Sequence, residues 1–495
     1  MLKTKRFYLE LLYILFVGLA TSAMLIKTSS MDGKWLKLVI LGLIGLTCLV
    51  VFPYREKFFL GLTVFLVPLG IDVNFHYETV RFVREFNGII LSAFDLSFFL
   101  LIALWAYRLA TNYTIQINFI PQITIPFFFI WLLSLAGLYM SDVSPAMQFS
   151  ALWMLAKNWL VLIYLSNNID DRDTLYLVIS VLLLGGLFQG VIGIGQYING
   201  GPLGLEFLGE KSGDTALKSA QAGIGRVSGT IGHPNKMALF LGSMLQLNLS
   251  CLFARLPDKF KRYRWLFFVP LTIMLFTLLV SYSRSGWASF IAGGIVNSSW
   301  CMARRTGKKI TSIITVIALF ISLALMAFLL IPSVRNRILM DDKGAAEVRK
   351  PLAQVARNVI SDNPWLGIGL NNYASCYPEY DDTAYWVGLE FPHVVHNEWL
   401  LIAAESGIPA FFCFIFIVSW VLLNLVRISR SNLDPLLPYV AIGFFSGVVS
   451  WGMHSLKEFE YIMLTVRFWF NIGVMLTIIL FLDNLGFKKN DTLST

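Results

Sequence analysis

Two histidines stand just ahead of a long apolar run in Phe391-Pro392-His393-Val394-Val395-His396-Asn397-Glu398-Trp399-Leu400, and Glu405-Ser406-Gly407 follows inside that run. An imidazole at the start of a helix, with water on one side and protein on the other, can take a proton from a bound hydroxyl while it is neutral; the helix N-terminus favours that neutral form. Arginines recur in similar settings. Arg226 precedes Ser228-Gly229-Thr230-Ile231-Gly232-His233-Pro234-Asn235, and Arg284 sits in Ser281-Tyr282-Ser283-Arg284-Ser285-Gly286. Arg349 and Arg357, eight residues apart, share roughly one face of an amphipathic segment. A guanidinium matches phosphate oxygens with a fixed fork of donors, and helix starts after Gly232 and Gly286 would add backbone N–H groups. Together these residues describe a cationic site for a phosphorylated group beside a general base. The plainer alternatives are a helix-capping polar cluster around His396 and solvated arginines paired with Glu347 or Asp362. A metal site is not expected, since there is no Cys-x-x-Cys and His393-x-x-His396 lacks further ligands at suitable spacing. Neither a phosphate-binding Walker loop nor a dinucleotide fingerprint is present, which argues against a nucleotide-driven pump.

The elements that must hold these residues are membrane helices. Hydrophobic residues make up 57% of the 495 and charged residues 14%, against about 25% charged in an ordinary soluble domain. Runs near 20 apolar residues cross the hydrocarbon of a bilayer, where every backbone amide needs an internal partner and so becomes helical. Fourteen spans are predicted, at 8–26, 34–52, 57–71, 91–109, 124–140, 147–165, 174–198, 233–253, 265–282, 285–301, 309–331, 396–426, 435–454 and 461–483. The first is read as a retained helix rather than a cleaved signal. The chain thus divides into N-terminal helices (1–198), a loop (199–232), core helices (233–331), a large and partly helical loop (332–395) with an amphipathic helix near 345–361, and C-terminal helices (396–495).

Basic residues gather in Tyr54-Arg55-Glu56-Lys57, in 255–264, at Arg304, Arg305, Lys308 and Lys309, at Arg427 and Arg430, and at Lys488 and Lys489. By the positive-inside rule these segments and both termini are cytoplasmic, so both long loops lie outside. All five histidines, His76, His233, His393, His396 and His454, then fall on the outer side. Of the five cysteines only Cys376 does, so no outer intrachain disulfide can form. No basic run or RNA-binding motif accompanies the net charge of +9, and no nucleic-acid partner is expected. Two charges fall within spans: Lys157, and Glu405 about nine residues into its helix, roughly 13 Å deep at 1.5 Å per residue. Intramembrane charges usually have partners; a Lys157–Glu405 pair is one option, with Arg467 as a competing partner for Glu405.

The ordered set Gly229-Thr-Ile-Gly-His-Pro-Asn235, Ser281-x-Ser-Arg-Ser-Gly286, Arg349, Pro364-Trp-Leu-Gly-Ile-Gly369, His396-Asn-x-x-Leu400 and Glu405-x-Gly407 resembles the O-antigen ligase and polymerase superfamily, which includes bacterial O-oligosaccharyltransferases. The resemblance covers about residues 220–425; residues 1–200 match only in being helical. It implies an all-α integral membrane protein with a C-type glycosyltransferase-like fold in the bacterial inner membrane. The implied donor is a glycan on undecaprenyl diphosphate, and the acceptor is lipid A–core, a growing glycan or a protein hydroxyl. It further implies that Arg226, Arg284, Arg349 and Arg357 hold the diphosphate and that His396 activates the acceptor. Asn235, Asn397, Glu405 and His393 are expected in support, with no metal or other cofactor and with inversion at the anomeric carbon. A transporter or transport accessory of the inorganic-carbon type is the alternative, against which stands the absence of a convincing inverted repeat.

Overall fold

A computed structural model of the chain describes Gly42, Thr47 and residues 54–75, 87–112, 116–140, 144–211, 225–256, 261–339, 347–384, 386–390 and 394–494. The predicted spans 8–26 and 34–52 lie outside the described residues apart from Gly42 and Thr47, as do His76 and His393. A helix occupies each predicted span from 57–71 onward. These are α1 (Arg55–Leu66), α2 (Ala93–Thr111), α3 (Pro121–Gly137), α4 (Pro145–Asn168), α5 (Arg172–Asn199), α6 (Pro234–Phe253), α7 (Phe268–Val280), α8 (Arg284–Thr306) and α9 (Lys309–Leu330). The short α10 (Pro332–Leu339) and α11 (Arg349–Asp362) cross the large loop, and α12 (Glu398–Ile428), α13 (Leu437–His454) and α14 (Val466–Ser494) complete the chain. Among the described residues seven helices are long and apolar enough to cross a membrane by length and composition. The protein is a multi-pass helical membrane protein.

Polar residues set the helix starts. Ser92 and Asp95 form a reciprocal capping box on α2, and Ser144, Asp171, Ser283 and Asn397 each accept a backbone N–H of the first turn that follows. Besides the helices one short hairpin is present: β1 (Asp72–Phe75) and β2 (Ile89–Ser92) pair antiparallel, Asp72 opposite Ser92 and Phe75 opposite Ile89. Ile89–Leu91, at the edge of the predicted span 91–109, is paired in this hairpin before Ser92 caps α2.

Close packing centres on α6, α8 and α13. Small residues allow it: a Cβ on Gly293 would lie 2.7 Å from the Ser446 carbonyl oxygen, and one on Gly443 would lie 2.3 Å from Ser250 Oγ. In lipid such small-residue contacts gain van der Waals packing, because apolar side chains gain little by leaving lipid for each other. Around this centre α5 packs on α7, α4 on α14 and α3 on α12. Only 6% of the apolar window of α9 is buried, so that helix lies at the periphery with apolar side chains turned outward.

The two buried charges resolve differently from the suggested pairings. Lys157 Nζ donates to Asp95 Oδ1 at 2.8 Å with both side chains buried, and Arg467 pairs with Glu460, Nη2 to Oε1 at 2.6 Å. Glu405 pairs with neither; its Oε1 accepts the Tyr373 amide at 3.2 Å. Two residues beyond Glu405, α12 is broken at Gly407 (φ 79°, ψ 164°), followed by Pro409. Into that break docks the loop after α11. Ile368 N–H donates to Ala404 O and Gly369 N–H to Glu405 O, both at 3.0 Å, and Ile408 N–H donates to Pro364 O at 2.8 Å. Glu405 thus lies at the joint between α12 and the large loop.

Candidate active site

At the loop-rich end of the bundle the arginine stretches and the His396 stretch meet around a carboxylate that sequence reasoning did not single out. Glu458, in the short connection between α13 and α14, accepts from Arg349 Nη2 on Oε1 at 3.0 Å and lies with Oε2 3.3 Å from His396 Nδ1. Burial pushes the Glu458 carboxyl up, but the His396 hydrogen bond and the charges of His396, Arg349 and His454 more than reverse this and hold it at about 2. An ionised carboxylate can only accept, so His396 donates from Nδ1 and its basic lone pair is on Nε2. Phe459 packs edge-on against the imidazole, ring centroids 5.4 Å apart. A ring fixed by one carboxylate and one aromatic neighbour is oriented as a general base must be.

The connection carrying Glu458 is itself fixed from α12. Glu398, buried at the first turn, accepts three amides of that connection: Glu460 at 2.5 Å and Ile462 at 2.6 Å, with Tyr461 at 3.1 Å. Asn397 caps the same helix by accepting the Leu400 amide at 3.1 Å. His396 and its partner loop are thus held by consecutive residues of one helix start.

Arg226 joins two of the motif stretches. Its Nη2 donates to Asn235 Oδ1 at 2.6 Å and its Nε to the Ser281 carbonyl at 2.9 Å. Burial and the nearby Arg337 and Arg284 guanidiniums pull Arg226 down to about 10, against the opposing charge of Glu458, so it stays protonated at neutral pH. The Gly229–Asn235 stretch is set by α5. Gln196 Oε1 accepts the Ser228 and Gly229 amides at 3.0 and 2.9 Å, while Gln189 exchanges hydrogen bonds with Thr230. Gly229 and Gly232 take φ of 59° and 83°, conformations that a side chain would strain. In the second stretch Tyr282 itself has φ 49°. Its carbonyl accepts from Arg337 Nε at 3.1 Å, and Ser283 then caps α8 so that Arg284 occupies the first helical position.

The structure therefore brings together Arg226, Asn235, Arg284, Arg349, His396 and Asn397, and adds Arg337 and Glu458. Arg349 does not pair with Glu347 as one alternative held, but with Glu458. Arg357 stands apart: eight residues carry it about 12 Å along α11 and about 80° around the axis from Arg349. It is exposed. Glu405 serves the joint between α12 and the large loop, and its neighbour in the motif, Gly407, admits no side chain because a Cβ would lie 2.3 Å from the Trp365 carbonyl oxygen. Cys376 is buried beside Asn372, whose Nδ2 lies 3.1 Å from its Sγ.

A multi-pass helical membrane protein with a compact cationic cluster, one ionised carboxylate and an oriented histidine at its loop-rich end is the class that fold and site define. Residues 269–415 match the family model for O-antigen ligase, so the chain carries the domain of the O-antigen ligase and polymerase superfamily. No curated protein matches the chain.

Proposed function

We propose that this protein is a membrane glycosyltransferase that moves a glycan from undecaprenyl diphosphate to an acceptor hydroxyl at the outer face of the bacterial inner membrane. The observation that carries this reading is the pairing of His396 with ionised Glu458 inside a cluster of Arg226, Arg284, Arg337 and Arg349. The acceptor oxygen attacks the anomeric carbon as its proton passes to His396 Nε2. The bond from that carbon to the phosphate oxygen breaks, and undecaprenyl diphosphate leaves with the electron pair. Preorganised guanidiniums stabilise the charge that develops on the departing diphosphate, which is the service a metal ion performs in other phosphate chemistry. Arg357, about 12 Å further along α11, is left out of the diphosphate site. Both long loops and the site lie outside, with the termini cytoplasmic, as the distribution of Lys and Arg favours.

The test is transfer by purified protein from a defined undecaprenyl-diphosphate oligosaccharide, with lipid A–core, a second donor molecule and a periplasmic protein offered separately as acceptors. Product with one acceptor, reduced about 10²- to 10⁴-fold in His396→Ala with donor binding retained, is expected of a lost general base. Arg284→Ala should weaken donor binding roughly tenfold to hundredfold, the range for one charge-assisted hydrogen bond. Full transfer by His396→Ala would remove the histidine from the mechanism, and unchanged donor affinity in Arg284→Ala would return that arginine to a structural role.

A further inference from the structure

At the far end of α12 from His396, several basic residues converge on one short turn. The exposed side of α12 runs as a helical stripe, Phe412, Phe416, Ser419, Leu423 and then Arg427, with Arg430 just past the last turn. Phe412, Phe416 and Leu423 are 62%, 49% and 70% exposed, an apolar face suited to hydrocarbon. Phe416 lies about 16 Å along the axis from Arg427, roughly half of a hydrocarbon core about 30 Å thick. Where the stripe turns cationic, a recess of about 500 Å³ opens between the end of α12, the turn to α13, and α14. Arg427, Arg430 and Ser431 line it together with Asp483 of α14, and Leu433 and Leu482 supply apolar lining.

The charges in this corner do not cancel. Arg172 pairs with Asp434, Nε to Oδ2 at 2.9 Å, and Arg427 pairs with Asp483, Nη2 to Oδ2 at 2.7 Å. Arg427 also donates to Asn424 Oδ1 at 3.0 Å, again from Nη2, which leaves its Nε and Nη1 without a partner among the described residues. Arg304 of α8 holds the turn itself. It donates to the carbonyls of Ser429 and Ser431 and to Asn432 Oδ1, and lies over the Tyr439 ring. Its charge meets no carboxylate among the described residues. Arg430 has neither an ion pair nor a side-chain hydrogen bond among them.

We propose that this recess binds an anionic phospholipid of the cytoplasmic leaflet, with the phosphodiester held by Arg427 and Arg430 and one acyl chain lying along Leu423, Ser419 and Phe416. Phosphodiester oxygens match open guanidinium donors, and basic recesses between membrane helices on the cytoplasmic side suit anionic head groups. A lipid fits better than free phosphate, because the exposed stripe continues the site into hydrocarbon. A zwitterionic lipid fits less well, since it brings a cation of its own to guanidiniums that lack a counterion. The bound lipid joins the end of α12 to α14, and the other end of α12 follows His396 while α14 follows the Glu458 connection. The assignment is independent of the transferase reading.

The experiment uses the full-length protein in phosphatidylcholine nanodiscs doped with phosphatidylglycerol that carries a diazirine near the head of one chain. Photolabelling is measured against the fraction of probe, and the labelled peptides are mapped. Labelling should saturate and concentrate on residues 419–433 and 482–486. Arg430→Gln removes no protein contact, so it tests the ligand rather than the fold; Arg427→Gln is a second variant, and each is first shown to be monodisperse. Each should raise the half-saturating probe fraction about tenfold or more, the range for one charge-assisted hydrogen bond. Saturable labelling that neither variant shifts would overturn the site. Equal labelling of the same peptides by a phosphatidylcholine probe with the same diazirine chain would mark ordinary boundary lipid and overturn it too. Labelling that never saturates and spreads over every outward helix face would have the same meaning. Displacement by inorganic phosphate as complete as by unlabelled phosphatidylglycerol would assign the recess to free phosphate and defeat the lipid reading. No glycan donor or transfer enters the readout, so each outcome bears on the recess alone.

Discussion

Glu458 is the residue on which the candidate site turns, since it touches both His396 and Arg349 and has no motif of its own. Glu458→Gln keeps the shape, removes the charge and leaves His396 without a reason to keep its proton on Nδ1. Transfer should fall about 10²-fold in kcat with a smaller change in KM, as expected when a general base is disoriented rather than lost; an unchanged kcat would make Glu458 a structural counterion only. The same carboxylate has a signature in stability. Its pKa is depressed in the folded protein, from an ordinary 4.5 to about 2, so it contributes stability above pH 4.5 that is lost as pH falls towards 2. Thermal unfolding in detergent should show that acid limb in the native protein and lack this contribution in Glu458→Gln. His396 and the motif arginines were legible in the sequence because each sits in a local pattern of glycine, serine and a helix start. Glu458 was not, because it lies 62 residues from His396 in a connection whose fold-back is set by tertiary packing. A carboxylate in a short loop facing basic stretches was the available signal.

The break in α12 shows why helices were legible and their joints were not. Hydrophobic runs reveal a span because the bilayer demands one, whereas a break needs a second segment to satisfy the amides it exposes, and here that segment is the Pro364–Gly369 loop. The glycines of the two stretches make the contact possible: a Cβ on Gly367 would lie 2.5 Å from the Glu405 backbone, and one on Gly407 would lie 2.3 Å from the Trp365 carbonyl. Gly407→Ala should therefore destabilise the protein by roughly 2–4 kcal/mol, since it combines a positive φ with a clash against backbone that cannot move. Gly61→Ala is the contrast. That helical glycine has open space at its Cβ position, and alanine there should stabilise α1 by about 0.5–1 kcal/mol. Unfolding temperatures of the two variants side by side check the argument, and equal effects would mean that the docked loop is not what holds the break. The hairpin of β1 and β2 escaped the sequence for a related reason, since strands of four residues are too short to show a period that separates them from a helix approach.

At the scale of the molecule, the helices outside the matched segment are coupled to the site. Residues 269–415 carry the family match, yet Asn158 Nδ2 on α4 donates to the Met463 carbonyl at 3.1 Å, in the same connection between α13 and α14 that carries Glu458. Asn158 is held next to Lys157, whose ion pair with Asp95 ties α4 to the capped start of α2. A buried pair of this kind contributes little net stability compared with apolar residues of the same volume, but removing one partner strands a charge. Lys157→Met should cost about 3–5 kcal/mol and reduce transfer, because the Asp95 carboxylate is left in a buried place built for an ion pair. The double variant Lys157→Met, Asp95→Leu should recover the stability except for about 0.5–2 kcal/mol from the lost capping box with Ser92. If α4 only fills space, transfer will recover in step with stability across the three proteins. If the pair fixes the position of Asn158, and through it the Glu458 connection, the double variant will be stable and still slow, with its deficit in kcat rather than in donor binding. That second pattern is the one expected here, because the Asn158 contact falls on the backbone of the connection itself.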